Sequence, residues 1–106
     1  MVRVGDRMFI IRTAQIDWIE AEGNYVRVHA GKESSLLRRP IGRLESVLDP
    51  RRFLRVNRSA IVNLDSVREV KPLFHGEYSM LLQGGAELKL SRKQRQKFHQ
   101  MVGMAT

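Results

Sequence analysis

Residues 51–64 read RRFLRVNRSAIVNL. Two apolar pairs, Phe53/Leu54 and Ile61/Val62, bracket the polar cluster Asn57-Arg58-Ser59. An apolar run anchors each side, so the join is free to project hydrogen-bonding side chains. Four arginines (Arg51, Arg52, Arg55 and Arg58) surround the join. The guanidinium is a planar fork that fits phosphate or a guanine edge with two parallel bonds. Such a stretch suits an anionic, edge-coded surface such as DNA.

Short strands extend outward from it. Ile16-Asp17-Trp18 and Val26-Arg27-Val28 alternate, with Ile16 and Trp18 expected on one face, and the turn Glu22-Gly23-Asn24 lies between them. Residues 67–71 alternate again. Residues 78–82 and 87–90 flank Gln83-Gly84-Gly85-Ala86, a second hairpin signal. Residues 8–11 form an expected first strand and residues 34–37 a short one. Residues 40–48 break this rhythm, because Ile41, Leu44, Val47 and Leu48 recur at helical spacing. Pro40 suits a first helical position and Asp49-Pro50 a stop. A short C-terminal helix is expected from Ser91, as its N-cap, to Gln100. The fold class is therefore mainly β, with one short amphipathic helix between strands and a short C-terminal helix. One domain covers residues 1–102, and residues 103–106 form a loose tail.

The chain of 106 residues carries a net charge of +8. A field of that sign concentrates polyanions. Residues 1–30 balance four arginines against four acids, whereas residues 38–58 hold seven arginines and two acids, and residues 91–97 hold four bases and no acid. Clustering of this kind favours nucleic acid. A basic module docking an acidic protein or an anionic membrane is the alternative. There is no cysteine, which excludes disulfides, zinc–cysteine sites and thiol catalysis. No apolar run approaches a membrane span and no signal-peptide core opens the chain, so a cytoplasmic protein is expected. His29, His75 and His99 lack metal-ligand spacing, and Gly84-Gly85 lacks the Lys-Ser/Thr of a phosphate loop. Neither an enzyme nor a cofactor or metal site is expected.

Arg58 is the leading candidate for a base contact through guanine O6 and N7, with a phosphate or an acidic strand neighbour as its alternative. Asn57 suits adenine or the capping of its own turn. Ser59 suits a local cap or a phosphate. Arg92, following Ser91, suits a base or a phosphate equally. Lys93, Arg95 and Lys97 fit phosphate steering or a solvated helix face. Arg38, Arg39 and Arg43 flank the short helix and suit the DNA backbone, as does Arg55. Asn63 reads as a buried amide fixing a loop, and Trp18 as core. Tyr25 fits either stacking or a phosphate bond.

Three separated motifs then carry a resemblance: Ile19-Glu20-Ala21-Glu22-Gly23-Asn24-Tyr25-Val26, residues 55–64, and Leu88-Lys89-Leu90-Ser91-Arg92. In that order, with the short helix between the first two, they resemble the LytTR DNA-binding domain of LytR/AlgR-type bacterial transcription regulators. The resemblance covers nearly the whole chain. It implies a strand-rich fold that enters successive major grooves of double-stranded DNA with turns. Asn57, Arg58 and Arg92 would then contact bases. Ser59, Arg38, Arg39, Arg55, Lys93, Arg95, Lys97, Asn24 and Tyr25 would touch or lie near the backbone. It further implies small antiparallel sheets, and a place behind a receiver or sensor domain of a longer parent. The chain is then expected to be a stand-alone regulator or an excised output domain. Two copies on repeated half-sites are expected because one small module buries limited surface. Asn57 stands where many relatives carry His.

Overall fold

A computed structural model describes residues 2–4, 7–9 and 11–103. Strands β1 (Val2–Val4) and β2 (Arg7–Phe9) pair as a hairpin. Then follow β3 (Trp18–Glu22), β4 (Tyr25–Ala30), β5 (Glu33–Leu37), helix α1 (Ile41–Val47), β6 (Phe53–Asn57) and β7 (Ala60–Asn63). They build an antiparallel five-stranded sheet in the order β5-β4-β3-β7-β6. The last part, β8 (Val67–Pro72), β9 (Tyr78–Leu82) and β10 (Glu87–Leu90), makes a three-stranded antiparallel sheet with β9 in the centre. Helix α2 (Arg95–Val102) closes the chain. The fold is mainly β with two short helices, as the sequence implies.

The larger sheet has core on both faces. Leu54, Val56, Ala60 and Val62 pack against Met80, Leu82, Leu88 and Leu90 of the smaller sheet and Phe98 of α2. Ile19, Val26, Val28, Phe53 and Ile61 pack on the other face with Ile16 and Leu48, under Ile41 and Leu44 of α1. This explains why all four residues of β7 are buried: a strand covered on both sides cannot alternate apolar with polar. Asn63 is 3% exposed, and its amide donates to the Ile16 carbonyl and accepts from the Asp65 N–H. It thus fixes the neighbouring loop, as expected.

Four expectations need correction. Residues 67–71 do not alternate: Val67 and Val70 both pack on the core, three residues apart, because a bulge interrupts β8 between Val67 and Glu69. Ile16 and Trp18 lie on opposite sides of the sheet, Ile16 in the α1-side core and Trp18 against the other. Ile16 follows a 3-10 turn (Thr13–Gln15) and precedes the strand, so the pleat does not govern it. Trp18 stacks on His29 at 4.2 Å between ring centroids. Pro40 is the N-cap of α1, with ψ 144°, and not its first helical residue. Ser91 makes no side-chain cap: a 3-10 turn (Arg92–Gln94) follows it, and α2 begins at Arg95. Phe98 is the buried residue of α2, with Met101 packed beside it on the core, and a short 3-10 turn at a helix N-terminus is a common way in. Of the expected first strand, Met8 and Phe9 lie in β2, while Ile10 is outside the described residues; so are residues 104–106 of the expected tail.

Candidate nucleic-acid interface

Strand pairing gathers the polar turns at one end. The β3–β4 turn (Gly23-Asn24) and the β6–β7 turn (Arg58-Ser59) sit side by side, because Glu20 pairs with Ala60 and the Ala21 N–H donates to the Ser59 carbonyl at 2.7 Å. Gly23 takes φ +63°, the left-handed geometry this tight turn requires. Leu37, the last residue of β5, pairs with Val26 at the start of β4, so Arg38 and Arg39 leave the sheet at this same end. Beyond β10, the Ser91 N–H donates to the Val56 carbonyl at 2.9 Å, which brings Arg92 beside the Asn57 turn. Arg58 and Arg92 therefore belong to one end, as do Asn24, Tyr25, Arg38, Arg39 and Ser59.

Two of the expected DNA contacts hold this end together. Arg55 Nε donates to the Asn57 carbonyl at 3.0 Å and Nη2 to the Arg58 carbonyl at 2.6 Å, while Nη1 meets Glu45 Oε1 of α1 at 2.9 Å. Three of its five N–H donors are thus used within the fold, two of them on the backbone of the turn, which they clamp. Asn57 Nδ2 donates to the Lys89 carbonyl at 2.8 Å, and its Oδ1 accepts from the Ser59 N–H at 2.8 Å. One amide both closes the turn and fastens it to β10. It keeps a single N–H without a partner in the described structure. The turn itself leaves the Arg58 side chain exposed, with no ion pair among the described residues.

Arg92 is positioned by a residue the sequence reading passed over. A Cβ added to Gly76 would lie 2.9 Å from Arg92 Cδ and 3.0 Å from Cγ, and Gly76 has φ +80°. The glycine therefore lets the loop between β8 and β9 lie directly on the arginine stem. Arg95 rests over the Tyr78 ring, 5.3 Å from Cζ to centroid, and the Tyr78 hydroxyl bonds His99 Nε2 at 2.7 Å. Lys93 and Lys97 are exposed on the 3-10 turn and on α2. Neither Glu45 nor Gly76 offers a local motif. Their partners stand far along the chain, and only the strand order brings them near.

The remaining charges are sorted by position. Arg51 and Arg52 lie at the opposite end, where Phe53 pairs with Asn63, and they face Asp49 at 3.3 Å and Asp65 at 3.9 Å. Arg27 Nε donates to Glu22 Oε2 at 2.9 Å. That bond holds the Glu22 carboxyl below its usual range and raises the Arg27 guanidinium. The Arg51 backbone N–H, and then its side chain, hold Asp49 below the usual carboxylate range. Among the described residues no helix is long and apolar enough to cross a membrane.

A strand-built scaffold with arginine-bearing turns gathered at one end has the clustered basic surface of a nucleic-acid-binding module. Residues 6–103 match the LytTr DNA-binding domain, and the chain belongs to that family. It is similar to the transcriptional regulatory protein LytR of Staphylococcus aureus (strain N315), 24% identical over 103 residues, which covers 97% of this chain and 42% of that protein. The sensory transduction protein LytT of Bacillus subtilis (strain 168) is 28% identical over 89 residues, covering 84% of this chain and 37% of LytT. The CO-responsive transcriptional regulator RcoM of Rhodospirillum rubrum is 35% identical over 85 residues, covering 80% and 36%. The chain thus spans about two fifths of the length of these relatives. A solved LytTr DNA-binding domain from Bacillus cereus has the same fold, with a TM-score of 0.86 at 19% identity, covering 97% of this chain and 94% of that one.

Proposed function

We propose that this domain recognises a specific double-stranded sequence through the major groove and serves as the output module of a bacterial transcription regulator in the cytoplasm. The observation that carries the reading is the junction of backbone bonds, Ala21 to Ser59 and Ser91 to Val56, which places the Arg58 and Arg92 turns together. Arg58 and Arg92 read bases; each bidentate grip on guanine discriminates by about 1–3 kcal/mol. Asn57 is chiefly the clasp of its turn, with its remaining N–H available to a base edge. Arg38, Arg39, Ser59, Asn24 and Tyr25 meet phosphates around the two turns, and Lys93, Arg95 and Lys97 extend the basic surface along α2. Arg55 acts from behind, through the turn it clamps. Two copies on repeated half-sites supply the contact area a single small module lacks. A receiver or sensor segment of a longer parent would supply the signal.

The test is binding to a duplex selected from a random pool, compared with a scrambled duplex across a salt series. The expected result is a clear preference for the selected duplex and affinity that falls steeply with salt. Arg58→Ala should relax the preference at one base position, and Lys97→Ala should weaken both duplexes alike. Equal affinity for both duplexes at every salt concentration rules out base reading. Undiminished binding to anionic vesicles or acidic protein in place of DNA favours the docking module instead.

A further inference from the structure

Phe74 is 87% exposed, far more than the other aromatic side chains among the described residues, and Leu73 beside it is 42% exposed. A lone apolar residue on a surface is ordinary. This pair differs in where it stands and how it is held. It forms the tip of the loop joining β8 to β9, and Pro72 and Leu90 both pair with Tyr78, so the loop rises at the end that carries Arg92. The Leu73 N–H donates to the Glu77 carbonyl at 2.7 Å, closing the loop at its base. His75 takes φ +63°, the only non-glycine residue with positive φ among the described residues. Held strain of this kind gathers at functional positions. Gly76 lies on the stem of Arg92, with room for no Cβ. The loop that carries Phe74 thereby lies against the Arg92 stem.

We infer that Phe74 is an apolar base contact, packing on the 5-methyl group of a thymine next to the base read by Arg92. The inference rests on the DNA-reading function proposed above. A side chain carried beside Arg92 enters the same groove. On the floor of the major groove the thymine methyl is the apolar feature that tells one base from another. A benzene ring meeting it removes apolar surface from water on both sides. The tip thus adds a discrimination that no charged residue of the interface can supply.

The experiment is selection from a random duplex pool with the wild-type chain, Phe74→Ala and Arg92→Ala. The wild type should enrich a thymine adjoining the position that Arg92→Ala relaxes, and Phe74→Ala should lose that thymine alone. Replacing it with deoxyuridine, which lacks only the methyl, should weaken wild-type binding about fourfold, the worth of one buried methyl. Phe74→Ala should not notice the replacement. An unchanged motif for Phe74→Ala, or a wild type indifferent to deoxyuridine, overturns the inference while leaving Arg92 as a reader. Failure of the wild type to enrich any motif overturns the DNA-reading proposal along with it. The exposure of Phe74 makes a folding defect an improbable confusion, and matched circular dichroism spectra would establish this.

Discussion

Arg55→Ala separates two accounts of a basic residue beside the Asn57-Arg58-Ser59 turn, which is proposed to face DNA. In the structure its guanidinium meets two turn carbonyls and Glu45. The Nε bond to Asn57 is part-buried, and a hydrogen bond from a charged donor in such a place is worth roughly 1.5 kcal/mol at the low end. The bond to the Arg58 carbonyl and the ion pair with Glu45 are exposed, where water competes, and each adds roughly 0.5 kcal/mol. The expected loss is therefore about 2–3 kcal/mol, or roughly 8–20 °C in Tm for a domain of this size. Glu45→Gln removes only the ion pair and should cost about 0.5 kcal/mol.

The binding assay completes the argument. A phosphate contact, when lost, shallows the dependence of log K on log salt by about 0.9. A clamp, when lost, leaves that slope alone. It lets the Arg58 turn wander, so the base preference at the Arg58 position should relax and the total affinity fall modestly. Urea unfolding and a salt series on the same two proteins read both quantities. An unchanged unfolding midpoint together with a slope shallower by about one ion would refute the clamp and return Arg55 to the phosphate backbone.

Three further outcomes follow from the same geometry. Asn57→Asp keeps the oxygen that closes the turn but sets a carboxylate against the Lys89 carbonyl in place of the 2.8 Å donor, and should cost about 1–3 kcal/mol in urea unfolding; an isostable variant would mean the clasp contributes nothing. Gly76→Ala adds a Cβ 2.9 Å from Arg92 Cδ at φ +80°, so stability should drop by more than about 1 kcal/mol and selection should blur at the Arg92 position; retention of both contradicts the positioning role. Glu22 should titrate below an ordinary glutamate by NMR, and Arg27→Gln should move it back, because the bond from Arg27 is the largest cause of its shift. A carboxyl whose folded pKa is depressed stabilises the fold above its unfolded pKa. The contribution is lost as pH falls through the lowered folded value, so the wild type should lose relative stability over the variant in that acid window.

β4 and β10 were legible because alternation is local and both follow it in their own residues, whereas β8 carries its core valines three residues apart across a bulge. The turns were legible for the same reason, since Gly23 and Gly85 mark them. Periodicity failed at Ile16, which is buried but stands outside the strand it adjoins. The division of labour among the arginines was closed to sequence reading altogether. Arg55 and Arg58 are three residues apart in a run of like composition, yet one is consumed by carbonyls and the other is exposed. What separates them is the path of the turn and the arrival of Glu45 from α1. Asn57 and Lys89 stand 32 positions apart, and no spacing rule connects them.

The same division decides where the positive charge of the domain stands unopposed. The net charge of +8 is a property of the whole chain, but a polyanion responds to where that charge is unopposed. Arg27, Arg51, Arg52 and Arg55 each face a carboxylate. Arg38, Arg39, Arg58 and Arg92 face none among the described residues, and all four stand at the end where the turns meet. Asp49 and Asp65 sit with their arginines at the far end. That end therefore gathers unopposed positive charge. On the function proposed above, a duplex approaching by diffusion is drawn to it, and salt should slow that approach along with the binding it precedes.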